Sequence, residues 1–419
     1  MYALPAAGAS LKRLSQTDAD LICAKHDRLW SARQGGARAV FAFADLSGLN
    51  LAGRDLADAD FSGAIMEKVI LSGAKLDNAN MFGADLQNAV LRDASMRRTD
   101  LRGACLRGAD LTGADLFEAH LREGSIAAAD KEKGFRLLEH ANRSNQAQGV
   151  ILAGANLERS RLTGIIAIKA DFTDAVLKDA KLVRANLKQA TMTGANLAGA
   201  DLSGADVSGA NMTDCILVGA KTLQWNASNT NLAGALTDKA AGKDINDLPY
   251  GDMIAAHALW CETGGTEGSP SVFDHADLRN IKSLKSLNLT ALSGRGAVFY
   301  GLDMEGVQMQ GAMLEGADLR AANLRRADLR GARLKGAKLS GADLRDAQLG
   351  PLLIAPERTL PCDLTGAALK NADLARADLR QARLTGADVS WANFTNAYLK
   401  DADFTGAVRA GARGLEDII

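Results

Sequence analysis

The stretch GADLRAANLRRADLRGARLKGAKLSGADL, residues 316–344, places a Leu at every fifth position and an Ala two residues before each Leu. An α-helix presents an apolar stripe about every 3.6 residues, and a strand presents one every two. A period of five therefore fits neither of them as a continuous element. It predicts a chain that turns a corner every five residues, with the Leu and the Ala pointing inward each time.

This five-residue frame extends over most of the 419-residue chain. We call the apolar fifth residue the centre. The first segment begins at Leu46, and all of its 17 centres are Leu, Phe, Met or Ile. In the second segment, which is shifted by one residue, every centre except Ala167 is a larger apolar residue. The frame occupies residues 46–126, 152–217, 299–349 and 364–404.

Four sides of five residues close a square coil of 20 residues. Successive coils would then stack at the spacing of β-strands, about 4.8 Å, with backbone hydrogen bonds passing from coil to coil. The small Ala lets each corner close, the Leu fills the axis, and a Gly before the Ala eases the tight backbone. The frame thus predicts an all-β fold in which residues 20 apart share one outer face, as in the series Asp60, Asn80, Asp100 and His120.

The run ANLAGADLSGADVSGANM, residues 195–212, and the opening stretch resemble the pentapeptide-repeat proteins, whose repeat is A(D/N)LXX. The resemblance covers roughly three quarters of the chain, as judged by the extent of the five-residue spacing. It implies a right-handed quadrilateral β-helix, which is a solenoid of square coils.

Two segments outside the frame are similar to each other. DLICAKHDRLWSARQGG (20–36) and DMIAAHALWCETGG (252–265) each show an apolar helical pattern, a His followed by Leu-Trp, and a Gly-Gly that fits a helix C-terminus. An open solenoid end exposes apolar axis residues and unpaired strand edges, so it needs a cap. We expect a capping helix in each segment, with capping contacts from His26, Trp30, His257 and Trp260.

A second leader inside the chain predicts that the array starts twice. The domains expected are a helical N-terminal cap (1–43), a first solenoid (44–237), a linker with a second helical cap (238–272), a second solenoid (273–408) and a C-terminal tail (409–419). Two interruptions are expected within the solenoids. The first is an insertion at 127–149 with a short helix or loop, and the second is a loop or one irregular coil at 350–362.

Composition limits the classes of function. Lys and Arg (49) nearly cancel Asp and Glu (50), and the net charge is −1, whereas a general nucleic-acid binder is expected to be clearly basic. The five cysteines are scattered without metal or disulfide spacing. The first 20 residues lack the apolar region of a signal peptide, and no 18-residue apolar run occurs. We expect a cytoplasmic protein without direct nucleic-acid or membrane contact.

No residue pattern indicates catalysis. His120, His140 and His275 lie apart in sequence and have no metal-ligand spacing. The acidic residues before the centres are expected to be solvated, whereas a catalytic carboxylate needs a cleft that shifts its pKa. We therefore predict no enzyme activity, no metal and no cofactor. The acidic residues in question are Asp85, Asp110, Asp115, Asp201, Asp206, Asp318 and Asp328.

Several outward residues are candidates for partner binding. A belt of arginines, one on each side of a coil, could grip an acidic partner, although a solvated ring is the simpler interpretation; it comprises Arg92, Arg97, Arg102 and Arg107. The same holds in the second solenoid for Arg320, Arg325, Arg330 and Lys335. Large apolar residues at outward positions point to docking or to packing beneath the insertion and tail. These are Phe82, Phe117, Phe135, Leu138, Trp391 and Tyr398.

The five-residue frame accounts for the structural residues, and no catalytic residues accompany it. This favours a non-catalytic protein-interaction scaffold with an unidentified protein partner. The family resemblance implies an alternative, because some pentapeptide-repeat proteins resemble duplex DNA in size and negative surface and bind type II topoisomerases such as gyrase. The present chain is longer, nearly neutral, and basic at its outer positions. A second alternative is a structural rod that self-assembles, for example as a homodimer through the C-terminal GLEDII.

Overall fold

A computed structural model describes residues 11–122, 127–130, 134–137, 146–281 and 283–416; for 127–130 and 134–137 it describes the backbone alone. The chain separates into two compact units, unit 1 (residues 1–238) and unit 2 (residues 239–419). Each unit has its own hydrophobic core.

Unit 1 opens with a strand, a helix and a second strand. These are β1 (Lys12–Arg13), α1 (Gln16–Trp30) and β2 (Ala44–Asp45), and β1 pairs with β2 in parallel. The helix begins with a reciprocal capping box, in which the Ser15 hydroxyl accepts from the Asp18 N–H and the Asp18 carboxylate accepts from the Ser15 N–H. It ends at Trp30, earlier than the Gly-Gly pair had suggested.

After β2 the chain of unit 1 turns a corner every five residues. Residues 20 apart are joined by parallel bridges, and we call each 20-residue turn a coil. The predicted series Asp60, Asn80, Asp100 and His120 is confirmed, since each of these residues bridges the next. The amide of each centre donates to the following coil, and the amide of the residue before it donates to the preceding coil; Leu197 N–H bonds to Ile216 O at 2.8 Å, and Asn196 N–H bonds to Ala175 O at 2.9 Å.

The inward positions of unit 1 are filled as the frame predicts. Leu197 and Ala195 are fully buried, and so are Phe61 and Phe172, which occupy centres. Corners require a left-handed backbone after each centre, which glycine adopts without steric cost. Gly194 has φ 69° at such a corner, while Asp179 and Arg184 adopt the same conformation at φ 56° and 55°.

The first interruption adds 21 residues to one coil, since Cys105 bridges Gln146, 41 positions later, instead of a residue 20 positions later. Because 21 is four frames plus one residue, this explains the shift of the frame by one. Part of the insertion forms an antiparallel pair of β3 (Ala127–Asp130) with β4 (Gly134–Leu137), so the helix predicted there is wrong for these residues. Leu138 lies outside the described residues.

Unit 2 repeats the opening order of unit 1. It begins with β5 (Lys243–Asp244), a 3-10 turn (Ile245–Asp247), α2 (Tyr250–Glu262) and β6 (Ala276–Asp277), and β5 pairs with β6 in parallel. Gly264 and Gly265 follow α2 with φ of 63° and 92°, as expected for a helix that ends at glycine. No helix in the described part of the chain is both long and apolar enough to cross a membrane.

The coils of unit 2 carry one hairpin. β7 (Leu352–Ala355) pairs antiparallel with β8 (Arg358–Leu360), where we had expected a loop or an irregular coil. Arg333 bridges Asp363, so the hairpin adds ten residues, which is two whole frames, and the register on both sides is preserved.

Candidate interaction faces

The Asp or Asn before each centre has a structural role that the sequence analysis missed. Its Oδ1 accepts a hydrogen bond from the backbone N–H two residues later, which closes an Asx turn at the corner. Asp201 accepts from Ser203 at 3.1 Å, and Asp206 accepts from Ser208 at 3.0 Å. Hydrogen bonding by Ser203 lowers the pKa of Asp201, so the carboxylate stays ionised as an acceptor. In the A(D/N)L motif, the Ala and the Leu thus form the core, and the Asp or Asn stabilises the turn.

Six Asp-Leu-Arg sequences share a second structural feature. In each of them the Arg side chain folds back and donates two hydrogen bonds to the Asp carboxylate. Arg320 Nε and Nη2 donate to the two carboxylate oxygens of Asp318 at 2.8 and 2.6 Å. Arg320 is only 4% exposed and Asp318 only 8%, so the expectation of solvated side chains is wrong for these two residues. The other five pairs are Asp100–Arg102, Asp277–Arg279, Asp328–Arg330, Asp343–Arg345 and Asp378–Arg380.

The arginine belt of unit 1 is largely occupied by contacts within the unit. Arg92 pairs with Asp110 at 2.5 Å, Arg97 with Asp115 at 2.7 Å and Arg102 with Asp100 at 2.5 Å. Arg107 donates to the side-chain oxygen of Gln146. The four arginines lie on different sides of the unit, because each is one frame from the next, and so they do not form one patch.

Phe82 and Phe117 are half-buried, and each lies beneath an arginine of a neighbouring coil. The Arg102 guanidinium is 5.2 Å from the centre of the Phe82 ring, and the Arg97 guanidinium is 4.5 Å from that of Phe117. The separation of 35 residues between Phe82 and Phe117 is not a multiple of 20, so the two side chains face different sides of the unit. The structure therefore does not bring them together into one docking surface. For Phe135 the structure gives the backbone only.

The two aromatic candidates near the C-terminus behave differently. Trp391 is half-buried and covers the corner at Gly411, where an added Cβ would lie 2.5 Å from the indole Cδ1. Tyr398 is 64% exposed at an outward position bridged to Asp378. Leu353 and Ile354 of β7, which were not predicted as candidates, are 67% and 47% exposed; the apolar run between Pro351 and Pro356 was the available signal.

His26 and His257 occupy equivalent positions in the two leader helices. Both are fully buried, and each Nδ1 accepts a backbone N–H from the segment after its helix, from Ala39 at 3.0 Å and from Ser271 at 2.7 Å. Burial lowers the pKa of His257, in agreement with a neutral ring whose Nδ1 is an acceptor. Trp30 and Trp260 lie against these rings, with centroids 6.1 and 5.9 Å away.

No three His, Cys, Asp or Glu side chains within the described ranges form a group that could hold a metal ion. His120 lies on an outer face beside Asp100, and His275 lies against the corner at Gly296. His140 is outside the described ranges.

Comparison with solved structures finds pentapeptide-repeat proteins at low similarity. HetL from the cyanobacterium Nostoc sp., which is involved in heterocyst differentiation regulation, is 23% identical over 91% of this chain and 94% of its own, with a TM-score of 0.18. A protein of the Arabidopsis thaliana thylakoid lumen is 33% identical over 22% of this chain and 60% of its own, with a TM-score of 0.19. QnrB1, a plasmid-mediated fluoroquinolone resistance protein, is 17% identical over 53% of this chain and 97% of its own, with a TM-score of 0.26.

No curated protein matches the chain. The family model described as pentapeptide repeats matches in eight copies, which together cover more than half of the sequence. The matched residues are 44–81, 79–116, 146–179, 170–209, 180–219, 309–349, 362–401 and 384–413. All of these segments lie within the parts of the chain that form bridged coils. The chain belongs to the pentapeptide-repeat family.

Proposed function

We propose that the protein is a non-catalytic protein-interaction scaffold, in which each unit is a right-handed quadrilateral β-helix that begins with a helical cap. In this arrangement the inward residues fix the backbone, and the outward residues are left to vary. Chemistry at the surface can then change without a change of fold.

One observation carries this proposal. The outward column Asp60, Asn80, Asp100, His120 and Arg161 carries in turn an acid, an amide, an acid, an imidazole and a guanidinium, although every step along it is the same parallel bridge. A rigid backbone that displays different polar groups at a spacing of about 4.8 Å is suited to recognition, because little conformational entropy is lost when a partner binds.

The experiment is affinity capture by the full-length chain from a lysate of the source cells, followed by titration of each captured protein in purified form. We expect at least one partner that binds saturably with a Kd of about 1 μM or below, as is common for specific interfaces. Capture by the heat-unfolded chain is the matched control, and any protein that both forms capture equally is counted as non-specific. Absence of any saturable partner, or turnover of a substrate by the purified chain, would contradict the scaffold proposal.

The topoisomerase alternative has weaker support. Mimicry of duplex DNA needs a continuous negative surface, whereas the column above continues from His120 into Arg161 and Lys181. The likeness to QnrB1 is too distant to change this balance. Inhibition of DNA supercoiling by the purified chain at micromolar concentration would favour the alternative over an unrelated protein partner.

A further inference from the structure

One outer side of unit 1 carries three cations that form no ion pair with the residues that the structure describes. Arg122, Arg161 and Lys181 are exposed, and no carboxylate in the described part of the chain forms an ion pair with them. This contrasts with Arg102 on the same side, whose guanidinium is held by Asp100 at 2.5 Å. Free guanidinium and ammonium groups keep their hydrogen-bond donors available for an external anion.

The bridges bring these cations close together. His120 bridges Arg161, and Arg161 bridges Lys181, so the three occupy one column on consecutive coils. At about 4.8 Å per coil the column is about 10 Å long. Arg122 lies two residues after His120 on the same side. We call the side formed by Asn80, Phe82, Asp100, Arg102, His120, Arg122, Arg161 and Lys181 the His120 face.

The electrostatic effect of this arrangement is visible at His120. Burial lowers the pKa of His120 first, and the charges of Arg161, Arg102 and Arg122 lower it further, against the opposing effect of Asp100. Those are the charged groups that face the imidazole from its own and neighbouring coils. Three cations and one carboxylate therefore lie near the imidazole.

A hollow adjoins the cations on the same face. It has a volume of about 330 Å³ and is lined by Asn78, Asn80, Phe82, Asp100 and Arg102. Its apolar wall is the Phe82 ring, and the Arg102 guanidinium lies 5.2 Å from the ring centre. The hollow is open to solvent, and its Phe82 wall offers an apolar surface to one side chain, with polar groups around the rim.

We propose that the His120 face binds an extended acidic segment of a partner protein, with carboxylates over Arg122, Arg161 and Lys181 and one apolar side chain in the hollow beside Phe82. This inference rests on the scaffold function and specifies the chemistry of one partner. Carboxylates interrupt the cationic column at Asp100 on one side and at Asp201, which bridges both Lys181 and Lys221, on the other. A short acidic peptide fits between these two carboxylates, whereas a longer polyanion would have to cross them.

The test measures binding of a fluorescein-labelled oligoglutamate peptide that contains one Phe, by fluorescence anisotropy with the full-length chain at low salt. The variant Arg161→Glu/Lys181→Glu reverses the column. We expect it to weaken binding about tenfold or more, because it replaces attraction by repulsion at the centre of the face. The control Lys169→Glu/Lys178→Glu makes the same change of net charge at exposed positions on other sides, and we expect less than about a threefold effect.

Three outcomes would overturn the proposal. The wild-type chain fails to bind the peptide, or both double variants lose binding equally, or an oligothymidylate of similar length binds more tightly and is lost in the Arg161→Glu/Lys181→Glu variant. The last result would assign the face to nucleic acid. Each of these leaves the scaffold function standing if the capture experiment yields a saturable protein partner, so failure of the two proposals can be distinguished.

Discussion

Replacing Leu197 by Lys is expected to lower the free energy of unfolding of unit 1 by several kcal/mol. Leu197 is fully buried on the axis, where its amide bonds to Ile216 O of the next coil. A lysine there either buries an unpaired ammonium or forces the coil open, and either result costs roughly 3–5 kcal/mol. Urea unfolding followed by circular dichroism measures the loss.

Ser203→Lys is the matched control, six residues away in the same coil. Ser203 lies at an outward position, and its backbone N–H donates to Asp201 Oδ1, a bond that lysine preserves. We expect a change of at most about 0.5 kcal/mol, as for ordinary surface substitutions. Similar losses for the two variants would show that the inward and outward positions have been assigned wrongly.

The second large effect is expected for Asp318→Ala in unit 2. This change removes the bidentate partner of Arg320, which is only 4% exposed, and leaves the guanidinium without its carboxylate in a desolvated place. Removing one partner of a buried ion pair costs about 3 kcal/mol or more, because the remaining charge loses its counter-ion. The shift of the urea midpoint of unit 2 reports this cost.

Asp378→Ala is the control, because it removes the same Asx-turn acceptor and bidentate ion pair at an exposed position. Asp378 also accepts from the backbone N–H two residues later and holds Arg380 through two bonds, yet the Arg380 side chain is 58% exposed. Water can solvate the freed guanidinium, so we expect a loss of about 1 kcal/mol or less. A loss at Asp378 equal to that at Asp318 would mean that the Asx turn, and not burial of the pair, dominates both effects.

The repeating part of the fold could be predicted from the sequence because its inward positions carry a strong apolar signal. Each centre must fill the axis and each preceding Ala must fit a corner, so the register at Leu197 and the series from Asp60 to His120 followed from counting alone. The shift by one residue at the first insertion was also evident from the spacing of centres.

Other features depend on contacts between coils, which five-residue counting does not contain. Arg320 folds back onto Asp318 and is buried, whereas the same Asp-Leu-Arg sequence leaves the Arg380 side chain exposed. The two antiparallel hairpins, β3–β4 and β7–β8, lie in short segments whose apolar runs do not distinguish a helix from a strand. For the candidate binding residues, the five-residue frame indicated outward positions but no contacts, and most of the arginines are paired within their own unit.

The claim on which the rest depends is that residues 20 apart lie side by side on adjacent coils. Val176 and Asn196 are bridged in this way, and neighbouring strands at about 4.8 Å are within the Cα separation that a disulfide allows. In a Cys261→Ser background, which removes the half-exposed native cysteine, Val176→Cys/Asn196→Cys is expected to cross-link on mild oxidation. Val176→Cys/Asn186→Cys, two frames apart and hence on opposite sides of the core, should stay reduced. Peptide mapping by mass spectrometry that finds the 176–196 disulfide alone would support the coil; a 176–186 disulfide in its place would contradict it.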